Sequence, residues 1–244
     1  MDIVFEPQFW VALAQIIGVN IILSGDNAVV IALACRSLPP RQQKLGIVFG
    51  AGAAVVLRII FTVFIVYLLT IPYLKFAGGL LLLWIGYKLM QPEDEGDKEV
   101  SAASNLVGAV RTVLIADAVM SLDNVIAVAA AADKYAGPHP ETGKFALLVI
   151  GLLISIPLVV YGATLLLKLI GRFPIIVVLG AALIGWVGGE VMVTDPAWME
   201  WVDTNAHWLH WGGPIMGAVA VVAIGKLLAR EPAHAELEDL EEKK

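Results

Sequence analysis

The chain has 244 residues, 59% of them hydrophobic and 16% charged, with a mean hydropathy of +0.83. A water-soluble domain of this length carries about 25% charged residues, so the composition excludes that class and predicts a membrane protein. The single cysteine, Cys35, excludes an internal disulfide and a thiolate metal cluster. The formal charge of −6 comes largely from two peripheral acidic segments and does not indicate nucleic-acid binding.

Seven apolar segments are long enough to cross a bilayer, which requires about 20 residues of helix. In chain order they cover 9–35, 45–70, 72–91, 105–132, 145–170, 174–194 and 213–229. Prolines at 72 and 174 separate neighbouring segments that no long polar loop divides, because proline ends a helix. We therefore expect an all-α, polytopic membrane protein with seven transmembrane helices and an acidic tail over 230–244.

The first three segments are repeated in the next three. The polar stretch from Asn20 to Asn27 matches the stretch from Asp117 to Asn124, and Pro72 matches Pro174 further along. The two repeats, 9–91 and 105–194, each contain three segments. Because three is odd, the second repeat enters the membrane from the opposite side, as in transporters with inverted repeats. The segment 213–229 lies outside the repeat, and residues 1–244 form one membrane domain.

Lysine and arginine are distributed unevenly between the two sides of the membrane. Of the sixteen, twelve fall on the side that carries the C-terminus, and Lys75, Lys134 and Lys144 are counted with the connections on the other side. Cytoplasmic connections carry the excess of basic residues. This bias predicts a cytoplasmic C-terminus and an extracytoplasmic N-terminus.

Two polar clusters interrupt the first and fourth segments at bilayer depth, and a carboxylate there costs about 2.5 kcal/mol or more. The alternative to a functional site is a set of buried polar groups that join helices by hydrogen bonds. Duplication on two oppositely directed helices favours the functional interpretation, with the two clusters as the two sides of one site. The candidate metal-binding residues are Asn20, Asp26, Asn27, Asp117, Asp123 and Asn124.

The spacing within the clusters leaves the direction of two aspartates open. Asn20, Ser24 and Asn27 lie on one stripe of a helix, and Ser121 falls in the matching stripe of the second cluster. Asp26 and its counterpart lie about 120° away on a regular helix with about 3.6 residues per turn. Either they face other partners or the helix unwinds locally, which the neighbouring glycine favours in the first copy only.

The residue types narrow the ion and its partners. Carboxylate, carboxamide and hydroxyl oxygens suit hard cations such as Mg²⁺, Mn²⁺ and Ca²⁺, and the motifs contain no His or Cys. Arg58 lies too deep in its segment to reach water along the surface, so it must pair with acids or line water. Glu190 is a candidate proton carrier; alternatively, it is a carboxylate near the outer interface that hydrogen-bonds a neighbouring helix.

One outer group has metal-ligand spacing. Asp203, His207 and His210 could hold a metal, although the surrounding tryptophans favour an interfacial turn.

At Leu23-Ser24-Gly25-Asp26-Asn27-Ala28 and Ser121-Leu122-Asp123-Asn124-Val125 the chain resembles the TerC family of integral membrane proteins. The resemblance covers residues 9 to about 228, and the compact size is similar to that of its YjbE-type branch. It implies a seven-helix protein of the bacterial plasma (inner) membrane, within the broader LysE-like transporter group. It also implies metal-ion homeostasis, with manganese efflux favoured and tellurium resistance as the historical name.

These observations together predict a secondary transporter that exports Mn²⁺, with proton antiport as the drive and no cofactor or enzymatic activity. No nucleotide-binding motif suggests ATP drive. A first alternative is a membrane partner that delivers Mn²⁺ to exported proteins. A second is an amino-acid or oxyanion exporter, which fits less well because an anion requires more buried basic residues. Homo-oligomers and exported proteins stay open as partners.

Overall fold

The computed structural model describes residues 7–68, 70–91, 102–132 and 140–228. These residues form nine α-helices and no strand, so the expected all-α class is confirmed for them. The proposed tail, 230–244, lies outside the described residues. The helices are α1 (Pro7–Leu23), α2 (Gly25–Cys35), α3 (Pro40–Leu68), α4 (Leu74–Met90), α5 (Ala102–Ala132), α6 (Pro140–Arg172), α7 (Ile175–Val193), α8 (Met199–Asn205) and α9 (Leu209–Leu228).

The described helices give four to six candidate membrane spans. Single helices long and apolar enough to cross a bilayer occur within α3, α5, α6 and α7. Two bent pairs, α1 with α2 and α8 with α9, would each make one further span. The helix α4 has 17 residues and is slightly shorter than a full span. The seven spans and the inverted repeats stay predictions.

The first predicted segment is broken at Ser24, while the fourth is continuous. The axes of α1 and α2 differ by 47°, and Ser24 has φ −103° and ψ 0°, outside helical geometry. In contrast, α5 runs without interruption past Ser121, Leu122 and Asp123. Of the two possibilities left open above, local unwinding therefore occurs in the first copy and is absent from the second.

The end of α7 is tied to the start of α4 by a buried aspartate, Asp195, which is 0% exposed. Its carboxylate accepts hydrogen bonds from the backbone N–H groups of Tyr73 (2.9 Å) and Phe76 (3.0 Å). It thereby satisfies donors that the first turn of a helix leaves free. The ring of Trp198 packs edge-on against both aromatic residues. The sequence did not single out Asp195.

The helices α7 and α9 pack with their backbones in close approach. Gly189 faces Gly213 and Gly185 faces Gly217, and these four residues form two small-x₃-small patterns. A Cβ atom built at Gly189 would overlap the Gly213 carbonyl and lie 3.0 Å from the Cα of Pro214. Glycine is required here because the clash is with backbone, which cannot rotate away as a side chain can.

Gly189→Ala should therefore destabilise the fold by about 1–3 kcal/mol, the usual cost of forcing a methyl group into a packed interface. Gly52→Ala is the matched control, since a Cβ atom at this helical glycine would meet nothing within 4 Å. The measurement is the thermal unfolding midpoint of each purified variant in the same detergent. Equal midpoints for the two variants would show that the close approach of α7 and α9 is not a constraint.

Candidate cation site

A buried guanidinium joins three helices at the centre of the molecule. Arg58, 4% exposed in α3, donates through Nη2 to Oδ1 of Asp117 at 2.6 Å and through Nε to Oγ of Ser121 at 3.1 Å, both in α5. Its Nη1 donates to Oδ1 of Asn20 in α1 at 3.2 Å. The Ser121 hydroxyl in turn donates to the second Asp117 oxygen at 3.0 Å. The expectation that Arg58 pairs with an acid is confirmed.

Burial makes this cluster sensitive to the loss of either charge. Asp117 is 4% exposed, and Asn20 and Ser121 are 0% exposed. A charge removed from water costs several kcal/mol unless a partner of opposite sign and further hydrogen bonds compensate it. The carboxylate of Asp117 has both a countercharge, Arg58, and a further hydrogen bond, from Ser121. Loss of either charge would leave the other buried without compensation.

The helix break releases a backbone carbonyl that both motif asparagines contact. The backbone N–H of Asn27, which would bond to the Leu23 carbonyl in a regular helix, donates instead to Oδ1 of Asp26 at 2.7 Å. The Leu23 carbonyl accepts from the side-chain amide of Asn27 at 3.3 Å and from that of Asn124 at 3.4 Å. The structure therefore brings one asparagine from each copy of the motif to the same oxygen.

Asp26 remains beside this group without an ion-pair partner among the described residues. It is partly buried at the start of α2, where a carboxylate is favoured by the positive end of the helix dipole. It interacts electrostatically with both Arg58 and Asp117. Asp26 is thus the motif acid near the cluster that Arg58 leaves unpaired.

Asp123 is directed to a different partner, Lys75. The Lys75 Nζ lies 2.5 Å from Oδ1 of Asp123, and it also contacts the Thr194 hydroxyl at 3.5 Å. The Asp123 side chain is 41% exposed, in contrast to 4% for Asp117. Glu190 is exposed on α7 and interacts electrostatically with Asp123 and Lys75. Asp123 therefore belongs to a second polar cluster, which is more exposed to solvent than the Arg58 cluster.

The prediction that Lys75 lies in a connection between helices is wrong. It lies in the first turn of α4 and is 7% exposed. Its position inside the apolar segment 72–91 was the available signal, because a lysine there needs a carboxylate partner. Within the described part of the chain, two buried cations, Arg58 and Lys75, therefore pair with motif acids.

A small cavity lies beside the Arg58 cluster, between α2, α3, α5 and α6. It has about 20 Å³ of space for the centre of a water molecule, and one water needs about 10–15 Å³. Its polar lining comes from Ser24, Asn27, Arg58, Asp117 and Ser155. The cavity therefore has room for a water molecule or a dehydrated cation of similar size.

Three buried polar atoms in this region have no hydrogen-bond partner within the described residues. They are Nδ2 of Asn20, Oγ of Ser24 and Oδ1 of Asn27. Buried polar atoms are usually satisfied, and unsatisfied ones cost about 1–3 kcal/mol each. Two of the three are oxygens that line the cavity, and oxygen is the ligand type of hard divalent cations. The residues present therefore suit such a cation.

The Arg58–Asp117 pair can be tested by a double-mutant cycle. Arg58→Met should destabilise the protein by about 3–5 kcal/mol, because it leaves Asp117 buried without a countercharge. Arg58→Met combined with Asp117→Leu should recover most of this loss, since neither charge then remains. The measurement is the thermal unfolding midpoint in detergent for the parent, both single variants and the double variant. Purely additive effects would contradict the pairing.

Comparison with known proteins identifies the family. The family model described as integral membrane protein TerC family matches residues 5–233. The membrane protein YjbE of Bacillus subtilis is 42% identical over 190 residues, covering 78% of this chain and 83% of YjbE. YkoY of Bacillus subtilis is 25% identical over 237 residues, covering 92% of this chain and 73% of YkoY. No solved structure matches significantly. The chain belongs to the TerC family of integral, multi-pass membrane proteins.

Proposed function

We propose that this protein is a secondary transporter that exports Mn²⁺ from the cytoplasm. The observation that carries the proposal is the buried, oxygen-rich group at the helix break, where Ser24 and Asn27 present unpartnered oxygens to a cavity. Irregular backbone at membrane depth is tolerated where it lines such a cavity. The oxygen ligands favour a hard divalent cation. The choice of manganese rests on the family resemblance.

The helix contacts support the proposed inverted repeats. The broken helix α1–α2 packs against α6, as α5 packs against α3, and α4 packs against α7. In the proposed repeats α5 corresponds to α1–α2, α6 to α3 and α7 to α4. Exchanging each helix with its counterpart gives the same set of contacts. Exchange of the two repeats about a central axis is the relation expected for alternating access. With α4 and the bent pair α8–α9 included, the proposal counts seven spans.

The charges of the two clusters suit a divalent cation. Asp26, Asp117, Asp123 and Glu190 carry four negative charges when ionised, and Arg58 with Lys75 carries two positive ones. One divalent cation would balance the remaining charge of −2. Asp26, free of an ion pair among the described residues, receives the cation together with oxygens released at the helix break.

Proton antiport is assigned to the half-exposed cluster. Glu190 lies on the exposed surface of α7 and interacts electrostatically with Asp123 and Lys75, so a proton can reach it without crossing the Arg58 cluster. The distribution of lysine and arginine predicts a cytoplasmic C-terminus, and the relatives named above are bacterial. The proposed location is the bacterial plasma membrane, with export as the direction.

An alternative from a different class is a membrane partner that delivers Mn²⁺ to exported proteins. It is favoured by a specific surface, the exposed side chains of Trp201, Trp208 and Trp211 near the bend between α8 and α9. An amino-acid or oxyanion exporter fits less well. Among the described residues the buried basic side chains are Arg58 and Lys75, and both already pair with carboxylates, which leaves no net positive charge for an anion.

Transport should depend on the two motif acids outside the Arg58 pair. Asp26→Asn and Asp123→Asn should each lower Mn²⁺ flux into proteoliposomes by at least about tenfold, since each removes a ligand charge worth more than 1.4 kcal/mol. Exposed Glu200→Gln is the control and should transport like the parent. Parent protein that carries no Mn²⁺ without a partner would favour the delivery function. Full flux in both aspartate variants would reject the site assignment.

Lys75 should regulate cation release at Asp123, because its ammonium competes with Mn²⁺ for the same carboxylate oxygen. Lys75→Met should lower the half-saturating Mn²⁺ concentration roughly tenfold, because the cation no longer has to displace the ammonium from Asp123. The maximal rate should fall, because no ammonium then displaces the bound cation. Lys75→Arg keeps the charge and is the matched control. Flux measured against Mn²⁺ concentration separates the two parameters. The same shift in both variants would contradict competition by charge.

A further inference from the structure

A second group of metal-ligand side chains lies at the bend between α8 and α9. One ligand atom from each of Asp203, His207 and His210 lies within 4.8 Å of the other two. The closest pair is Nε2 of His210 and Oδ1 of Asp203, at 2.7 Å. The two imidazole rings meet edge to face with their centroids 5.1 Å apart. Asp203 and His207 are exposed, and His210 is half-buried, so an ion can reach all three from water.

The three side chains come from different local structures. Asp203 lies in α8, His207 in the turn that follows, and His210 in the first turn of α9. The axes of the two helices differ by 112°. On a straight helix the three positions would form one stripe. Although the chain bends between α8 and α9, the three side chains still lie close together. An ion bound by all three would therefore bridge the two helices.

We propose that Asp203, His207 and His210 form a binding site for a divalent transition-metal cation of the Zn²⁺ class. Two imidazole nitrogens and one carboxylate oxygen are the ligand set that Zn²⁺ accepts, with a water molecule in the fourth position. Ligands about 2.0–2.1 Å from a tetrahedral ion lie roughly 3.3 Å apart. Small side-chain rotations reach this spacing from the distances present. The cation then takes the place of the hydrogen between Nε2 of His210 and Oδ1 of Asp203, and the displaced proton passes to water.

The simpler interpretation is a surface hydrogen bond between a histidine and an aspartate. That bond requires only His210 and Asp203 and does not explain why a ligand atom of His207 lies within 4.8 Å of both. The ligand set also differs chemically from the buried group, whose ligands are oxygens. Nitrogen ligands favour Zn²⁺, Ni²⁺ and Co²⁺ over Mn²⁺, following the Irving–Williams order. The outer site therefore selects a different ion from the buried site.

The experiment measures Co²⁺ binding by visible absorption in the purified full-length protein in detergent, with Zn²⁺ as competitor and Mn²⁺ as comparison. The parent should bind Co²⁺ with a spectrum typical of nitrogen and oxygen ligands, and Zn²⁺ should displace it at far lower concentration than Mn²⁺. His207→Ala and His210→Ala should each weaken binding at least about tenfold, since even loss of an outer-shell partner costs 10–100-fold. The double variant His139→Ala/His234→Ala is the matched control and should bind like the parent.

A second measurement separates ligand loss from misfolding. Zn²⁺ should raise the thermal unfolding midpoint of the parent, because a ligand that binds only the folded state stabilises it. His207→Ala should have the parent's midpoint without metal and no response to Zn²⁺. Unchanged Co²⁺ affinity in His207→Ala and His210→Ala, or loss of binding in the control variant, would overturn the proposal. So would displacement of Co²⁺ by Mn²⁺ as readily as by Zn²⁺.

Discussion

A positive charge in the apolar interior is the constraint on which the central architecture depends. Arg58 is only 4% exposed, so its guanidinium donors must find hydrogen-bond acceptors within the protein. The satisfied partners come from α1 and α5, which fixes the distance and rotation of both helices relative to α3. Hydrophobic packing alone would not specify these rotations, because lipid and side chains are similarly apolar. The ion pair therefore gives the bundle a specific arrangement.

The helix break follows from a local competition for one backbone donor. The carboxylate of Asp26 takes the Asn27 N–H, and the Leu23 carbonyl is left to the two asparagine side chains. Because α1 and α2 then diverge, the hydroxyl of Ser24 reaches the cavity beside Arg58. The unwound turn and the cluster are thus parts of one arrangement, in which the break supplies oxygens and the arginine fixes the helices around them.

The sequence predicted the helical class and the main polar residues because both depend on local composition. Apolar runs of sufficient length give helices, and a buried arginine needs an acid whatever the fold. Which acid it selects could not be predicted, because the choice between Asp26, Asp117 and Asp123 depends on how the helices are rotated and packed against α3. Lys75 was assigned to a connection although it lies inside the predicted segment 72–91. Its partners, Asp123 and Thr194, are distant in sequence, so the pairing itself could not be predicted.

The two ion pairs differ in a way that divides their roles. The Arg58–Asp117 pair is almost fully buried, so separating the two residues would leave two charges in an apolar medium. Exchanging either partner would therefore cost several kcal/mol. Lys75–Asp123 has a half-exposed carboxylate, so water can stabilise Asp123 while the lysine or a cation moves. In the proposed transport cycle, partner exchange would therefore occur at Asp123 and leave the arginine cluster intact. Within the second copy of the motif, Asp117 is thus fixed by Arg58, while Asp123, six residues further along the same helix, has a partner that can be exchanged.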